Sequence, residues 1–111
     1  MRQYVLTDIP AKVLQDMEAS LAEMGCQASI EHLFWLPVPQ DMLSPLQKEH
    51  LDACGPYAMA LETEGDSLRM ELLVRARSKV RCDCIAYATD ELALHMIHWL
   101  DGFAAGFGIQ P

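Results

Sequence analysis

The chain has 111 residues, 51% of them apolar, and a formal net charge of −8. That length fits one domain spanning residues 1–111, and that apolar fraction excludes a disordered chain. No apolar run approaches the roughly 18 residues a membrane span needs, and the acidic balance opposes nonspecific attraction to nucleic acid or anionic lipid.

The opening residues, Met1 to Asp8, lack the apolar core of a secretory leader. A cytosolic location is therefore expected, with Cys26, Cys54, Cys82 and Cys84 reduced. Residues 1–6 read as a short strand or an extended arm. Residues 9–24 predict a helix: Thr7 or Asp8 precedes it, Pro10 sits in its first turn, and Ile9, Val13, Met17, Leu21 and Met24 recur at helical spacing before Gly25. Residues 27–36 predict a strand with Ile30, Phe34 and Leu36 on one side and Leu33 and Trp35 on the other. Pro37 and Pro39 follow it. Ser44-Pro45-Leu46-Gln47 carries a capping-box pattern with proline at the first helical position, so a helix is expected over 44–54, stopped by Gly55 and Pro56.

Residues 57–88 predict an antiparallel meander. In its first strand Tyr57, Met59 and Leu61 share a face, and in its second Leu68, Met70, Leu72 and Val74 do. Glu64-Gly65-Asp66-Ser67 suits a two-residue turn that sets Leu61 opposite Met70, Met59 opposite Leu72 and Tyr57 opposite Val74. A third strand over 80–88 is expected to turn Val80, Cys82, Cys84 and Ala86 inward. Thr89 or Asp90 then caps a helix over 90–106 with Leu92, Met96, Leu100 and Phe103 in its apolar stripe. The expected fold is α+β: an antiparallel sheet, made of the meander 57–88 and strand 27–36, packed by helices 9–24, 44–54 and 90–106.

Five of the eight basic residues (Arg69, Arg75, Arg77, Lys79 and Arg81) fall between positions 69 and 81, where Glu71 is the only acid. This segment carries +4 in a chain whose remainder carries −12. Together with Leu73, Ile85 and Tyr87, the residues Arg69, Arg75, Arg77 and Arg81 mark a basic and apolar sheet face. Such a face wants cover from the protein's own acids, a second copy of the chain or another acidic protein. Single-stranded RNA is a weaker match, because only Tyr87 offers a stacking ring. The expected role is that of a non-enzymatic interaction module, homodimeric and working through a protein partner. No phosphate-cradling loop, nucleotide fingerprint or nucleophile elbow is present in the sequence.

The alternative is a thiol or metal protein. Cys82-x-Cys84 sets two thiols on one side of an extended segment, where they can share a zinc ion if Cys54, Cys26 or a histidine completes the set. Against it, a buried cysteine often serves as a small hydrophobe. His95 and His98 lie one helical turn apart, flanked by Glu91 and Asp101 as a solvated ion-pair face would be. His32 is expected as a hydrogen-bonded core histidine, and His50 on an exposed helix side.

Overall fold

The computed structural model describes residues 2–110. Its elements in chain order are β1 (Gln3–Leu6), α1 (Ala11–Glu23), β2 (Leu33–Pro37), a 3-10 turn (Gln40–Met42), α2 (Pro45–Glu49), α3 (Leu51–Cys54), β3 (Tyr57–Glu64), β4 (Ser67–Glu71), β5 (Leu73–Ala76), β6 (Ala86–Tyr87) and α4 (Asp90–Ala105). The fold is α+β, an antiparallel six-stranded sheet packed with helices. No helix among the described residues is long and apolar enough to cross a membrane.

The eight residues of β3 organise the sheet, because they are long enough to pair with three other strands. β2 runs along one edge, from Leu33↔Glu62 to Pro37↔Ala58. On the other edge β4 pairs with the last half of β3, from Leu61↔Met70 to Glu64↔Ser67, while β5 takes its start at Tyr57↔Ala76 and Ala58↔Arg75. β1 lies outside β4, and β6 lies outside β5. The Leu61–Met70 register is the one the Gly65 turn predicts, and Gly65 has the left-handed φ of +61° that such a turn requires.

The second strand is not continuous, however. Two extra residues enter between β4 and β5, so Tyr57 faces Ala76 rather than Val74. The break falls at Leu72, whose N–H donates to the Arg2 carbonyl (3.0 Å) and whose carbonyl accepts from the Ala88 N–H (3.0 Å). An insertion of two keeps the period-2 alternation intact, so Leu68, Met70, Val74 and Ala76 all remain buried.

One sheet face holds Phe34, Leu36, Met59, Leu61, Leu68 and Met70, each at most 2% exposed, and these residues join Leu14, Met17 and Leu21 of α1 and Leu92, Met96 and Leu100 of α4 in a single core. Each fully buried side chain of this kind contributes about 1.5–3 kcal/mol. The Tyr4 hydroxyl, reaching Asp101 Oδ1 at 2.6 Å, ties β1 to α4.

Several boundaries differ from expectation. α1 begins at Ala11 with Pro10 before it and no side-chain cap, and it stops at Gly25 (φ +82°) as expected. The strand expected over 27–36 is a doubling-back. Gln27 bridges Phe34, Trp35 N–H donates to the Cys26 carbonyl (2.8 Å), and residues between them turn through His32 at φ +67°. Ile30 is therefore 65% exposed rather than inward. The helix expected over 44–54 is two pieces broken at His50. The strand expected over 80–88 survives only as Ala86–Tyr87; Val80 is 91% exposed and Ala86 is exposed. The helix expected over 90–106 runs from Asp90 to Ala105, and the Thr89 side chain caps it by accepting from Leu92 N–H (3.2 Å).

Candidate metal centre

The loss of the third strand has a local cause that builds a site. At the end of β5, Arg77 N–H donates to the Pro56 carbonyl (2.9 Å) and Ser78 N–H to the Cys54 carbonyl (3.0 Å), while Ser78 Oγ donates to the Gly55 carbonyl (2.6 Å). These bonds fasten residues 77–78 to the end of α3 and turn the following segment across it. A tight turn then closes with Ile85 N–H donating to the Cys82 carbonyl (3.1 Å). The two thiols of Cys82 and Cys84 thus meet the helix pair instead of lining the sheet.

The helix pair is set locally. Ser44 Oγ accepts from Gln47 N–H (3.1 Å) and Gln47 Oε1 accepts from Ser44 N–H (2.9 Å), the reciprocal capping box its sequence predicts. The Gln47 amide then donates to the Cys84 carbonyl (3.0 Å), holding α2 against the turn. His50 closes α2, and Cys54, four residues later, ends α3. Gly55 is required next: a Cβ there would meet the Leu51 carbonyl oxygen and Cδ1 at 2.6 Å.

As a result, one donor atom from each of His50, Cys54, Cys82 and Cys84 lies within 4.8 Å of every other. His50 Nδ1 is 3.1 Å from Cys82 Sγ. Cys84 is 1% and Cys54 3% exposed, while Cys82 and His50 are half-buried. Cys82 is drawn down to about 6, chiefly by the Cys84 backbone N–H, with help from the Cys84 thiol and His50. Burial, reinforced by the Cys82 and Cys84 thiols, pushes Cys54 up to about 11. The Cys84 N–H and His50 thus favour the thiolate form of Cys82, the form that binds metals, and the other sulfurs are held close to it.

Of the residues expected to take part, the structure brings together Cys54, Cys82 and Cys84. It leaves out Cys26, which lies elsewhere beside Leu36, Met96 and Trp99. His50, expected on an exposed helix side, is the fourth member. Its signal in the sequence was the spacing His50-x-x-x-Cys54, one helical turn. His32, expected in the core, is exposed. Its Nδ1 lies 2.6 Å from Glu18 Oε2, and the same oxygen accepts from Thr63 Oγ1 at 2.6 Å. His95 and His98 are exposed, and no ion pair joins them to Glu91 or Asp101, whose Oδ1 serves Tyr4 instead.

Only part of the expected basic face forms on the sheet, and two of its arginines meet acids of neighbouring strands. Arg69, Leu73 and Arg75 sit on the sheet face away from the core, with Trp35 and Leu33 of β2 beside them, neighbours that only the strand order reveals. Arg75 pairs with Glu71 (2.7 Å) and Arg69 with Glu64 (3.5 Å). Arg77 stacks over the Trp35 ring (4.8 Å) and Arg2 over Tyr87 (4.7 Å). Arg81 is exposed in the 78–85 turn, and Ile85 is half-buried beside Trp35 in a shallow cleft. No family model, curated protein or solved structure matches this chain.

Proposed function

We propose that this chain is a zinc-binding protein whose centre, His50, Cys54, Cys82 and Cys84, is a closed site that builds the fold. The single observation that carries this is the mutual approach of one nitrogen and three sulfur donors within 4.8 Å. Zinc–sulfur bonds of about 2.3 Å and zinc–nitrogen bonds of about 2.0 Å set tetrahedral donors roughly 3.5–3.8 Å apart, so a small contraction suffices. Three thiolates and an imidazole favour zinc over magnesium or calcium, which take oxygen. With four protein donors no coordination position is left for water or substrate, which is the pattern of a structural centre rather than a catalytic one. What zinc supplies here is a cross-link between α2–α3 and the 78–85 turn.

The test is a zinc titration against a competing chelator, read together with thiol reactivity toward a disulfide reagent. Tight binding of one zinc, with three of the four cysteines protected and Cys26 unaffected, is the expected result. Equal reactivity of the cluster thiols with and without zinc overturns the proposal.

The sheet face away from the core supports a second role, association with another copy of the chain. Half-buried Trp35, Leu33 and Leu73 stand beside both arginines and glutamates, a mixture that complements itself across a two-fold axis. Light scattering checks this: a dimer that Trp35→Glu splits is expected, and a wild-type monomer at high concentration refutes it.

A further inference from the structure

We propose that the Tyr57 hydroxyl is a positioning group of this centre, donating its proton to the Cys84 sulfur when that sulfur is a metal-bound thiolate. The inference rests on the zinc reading above and asks what completes the site.

Tyr57 opens β3, three residues after Cys54, and its side chain is 3% exposed. Its hydroxyl is one of two buried side-chain polar atoms without a hydrogen-bond partner among the described residues. The hydroxyl lies beside the thiol cluster, Cys84 foremost, without a hydrogen bond to any of the three sulfurs. A buried phenol with no acceptor is an anomaly in a folded chain, because the O–H forfeits its bond to water. A thiol sulfur is a weak acceptor, whereas a thiolate is a strong one. The orphan is therefore resolved by the change of state that metal binding imposes on Cys84.

The charge of the centre points the same way. Three thiolates around a divalent ion leave one net negative charge in a largely buried site, and such charge needs donors. Cys82 already has the Cys84 backbone N–H. The Gln47 amide is committed to the Cys84 carbonyl at 3.0 Å. Cys84 itself, 1% exposed, is shut off from water, and the Tyr57 hydroxyl is the unpaired buried donor beside it. Groups that hydrogen-bond to metal ligands in this way orient them and tune affinity, and losing one typically weakens binding roughly 10–100-fold.

The experiment compares wild type with Tyr57→Phe in chelator competition for zinc and in the ¹¹³Cd NMR shift of the cadmium-loaded protein. Affinity roughly 10–100-fold weaker and a displaced ¹¹³Cd resonance are expected. In chelator, Tyr57→Phe is expected to melt at or above the wild-type temperature, because the unpaired hydroxyl is gone. Unchanged affinity and an unchanged resonance overturn the role of Tyr57 while leaving the zinc centre standing. A wild type that takes up no zinc removes the centre itself, and Tyr57's role with it. Hydroxyl-proton exchange in cadmium-loaded wild type gives a readout that needs no variant: slow exchange supports the bond, and exchange as fast as in chelated protein refutes it.

Discussion

Stripping the metal from the proposed centre opens a long-range cross-link, and the cost is the binding free energy that the folded chain gains from zinc. Cys54 and Cys82 are 28 positions apart, and the segment they bracket contains β3, β4 and β5. With free zinc about 400-fold above its Kd, binding to the folded chain alone contributes about 3.5 kcal/mol at room temperature, which a strong chelator removes. For a domain of 111 residues this corresponds to a fall in melting temperature of roughly 15 °C. The assay is scanning calorimetry on zinc-loaded wild type, on the same protein after a strong chelator, and on Cys82→Ala with and without zinc. Chelated wild type and Cys82→Ala are expected to melt together, well below the loaded protein, and Cys82→Ala is expected to ignore both zinc and chelator. A half-buried core thiol predicts the opposite pattern: a small loss for Cys82→Ala and none on chelation. That pattern refutes the cross-link argument.

Three further outcomes follow from the same geometry. His32 is raised above its ordinary value by its hydrogen bond to Glu18 and by the charges of Glu18 and Glu31, so its ion pair stabilises the fold fully below about pH 6.5 and fades as pH rises through the higher folded value. His32→Asn, which keeps the left-handed backbone, should therefore cost more melting temperature at pH 6 than at pH 8.5, and a pH-independent difference contradicts this. Gly55→Ala drives a Cβ against the backbone oxygen of Leu51 and should cost about 1–3 kcal/mol in urea unfolding, with weakened zinc affinity because Cys54 moves with it; a neutral effect contradicts the packing. Ser44→Ala removes the α2 cap and should cost about 1 kcal/mol by the same measurement, while a loss below a few tenths shows that the cap is idle.

The fold was legible where its determinants are local. The Ser44–Gln47 capping box, the Gly65 turn with its Leu61–Met70 register and the Thr89-capped helix each rest on residues within a turn of one another. What the sequence hid is set by partners far along the chain. Alternation of Val80, Cys82, Cys84 and Ala86 imitates a strand, yet the bonds of Arg77 and Ser78 to residues 54–56 carry that segment off the sheet. The two-residue insertion at Leu72 is likewise invisible, because it preserves the inward–outward pattern. Three of the four site residues were within reach as thiols. The fourth, His50, is expected on an exposed helix side; in the structure the helix breaks at His50, whose Nδ1 reaches Cys82 Sγ instead. The alternation around Trp35 predicts a two-sided strand, but its partnership with Arg77 depends on β2 and β5 flanking β3, a matter of topology.

Native mass spectrometry of the purified protein, beside single His50→Ala, Cys54→Ala, Cys82→Ala and Cys84→Ala variants, tests the metal centre most directly. One zinc per wild-type chain, lost or sharply reduced in all four variants and retained in Cys26→Ala, is the predicted result. A wild-type chain that stays at its apo mass in zinc-supplemented buffer, or zinc that persists through all four substitutions, contradicts it.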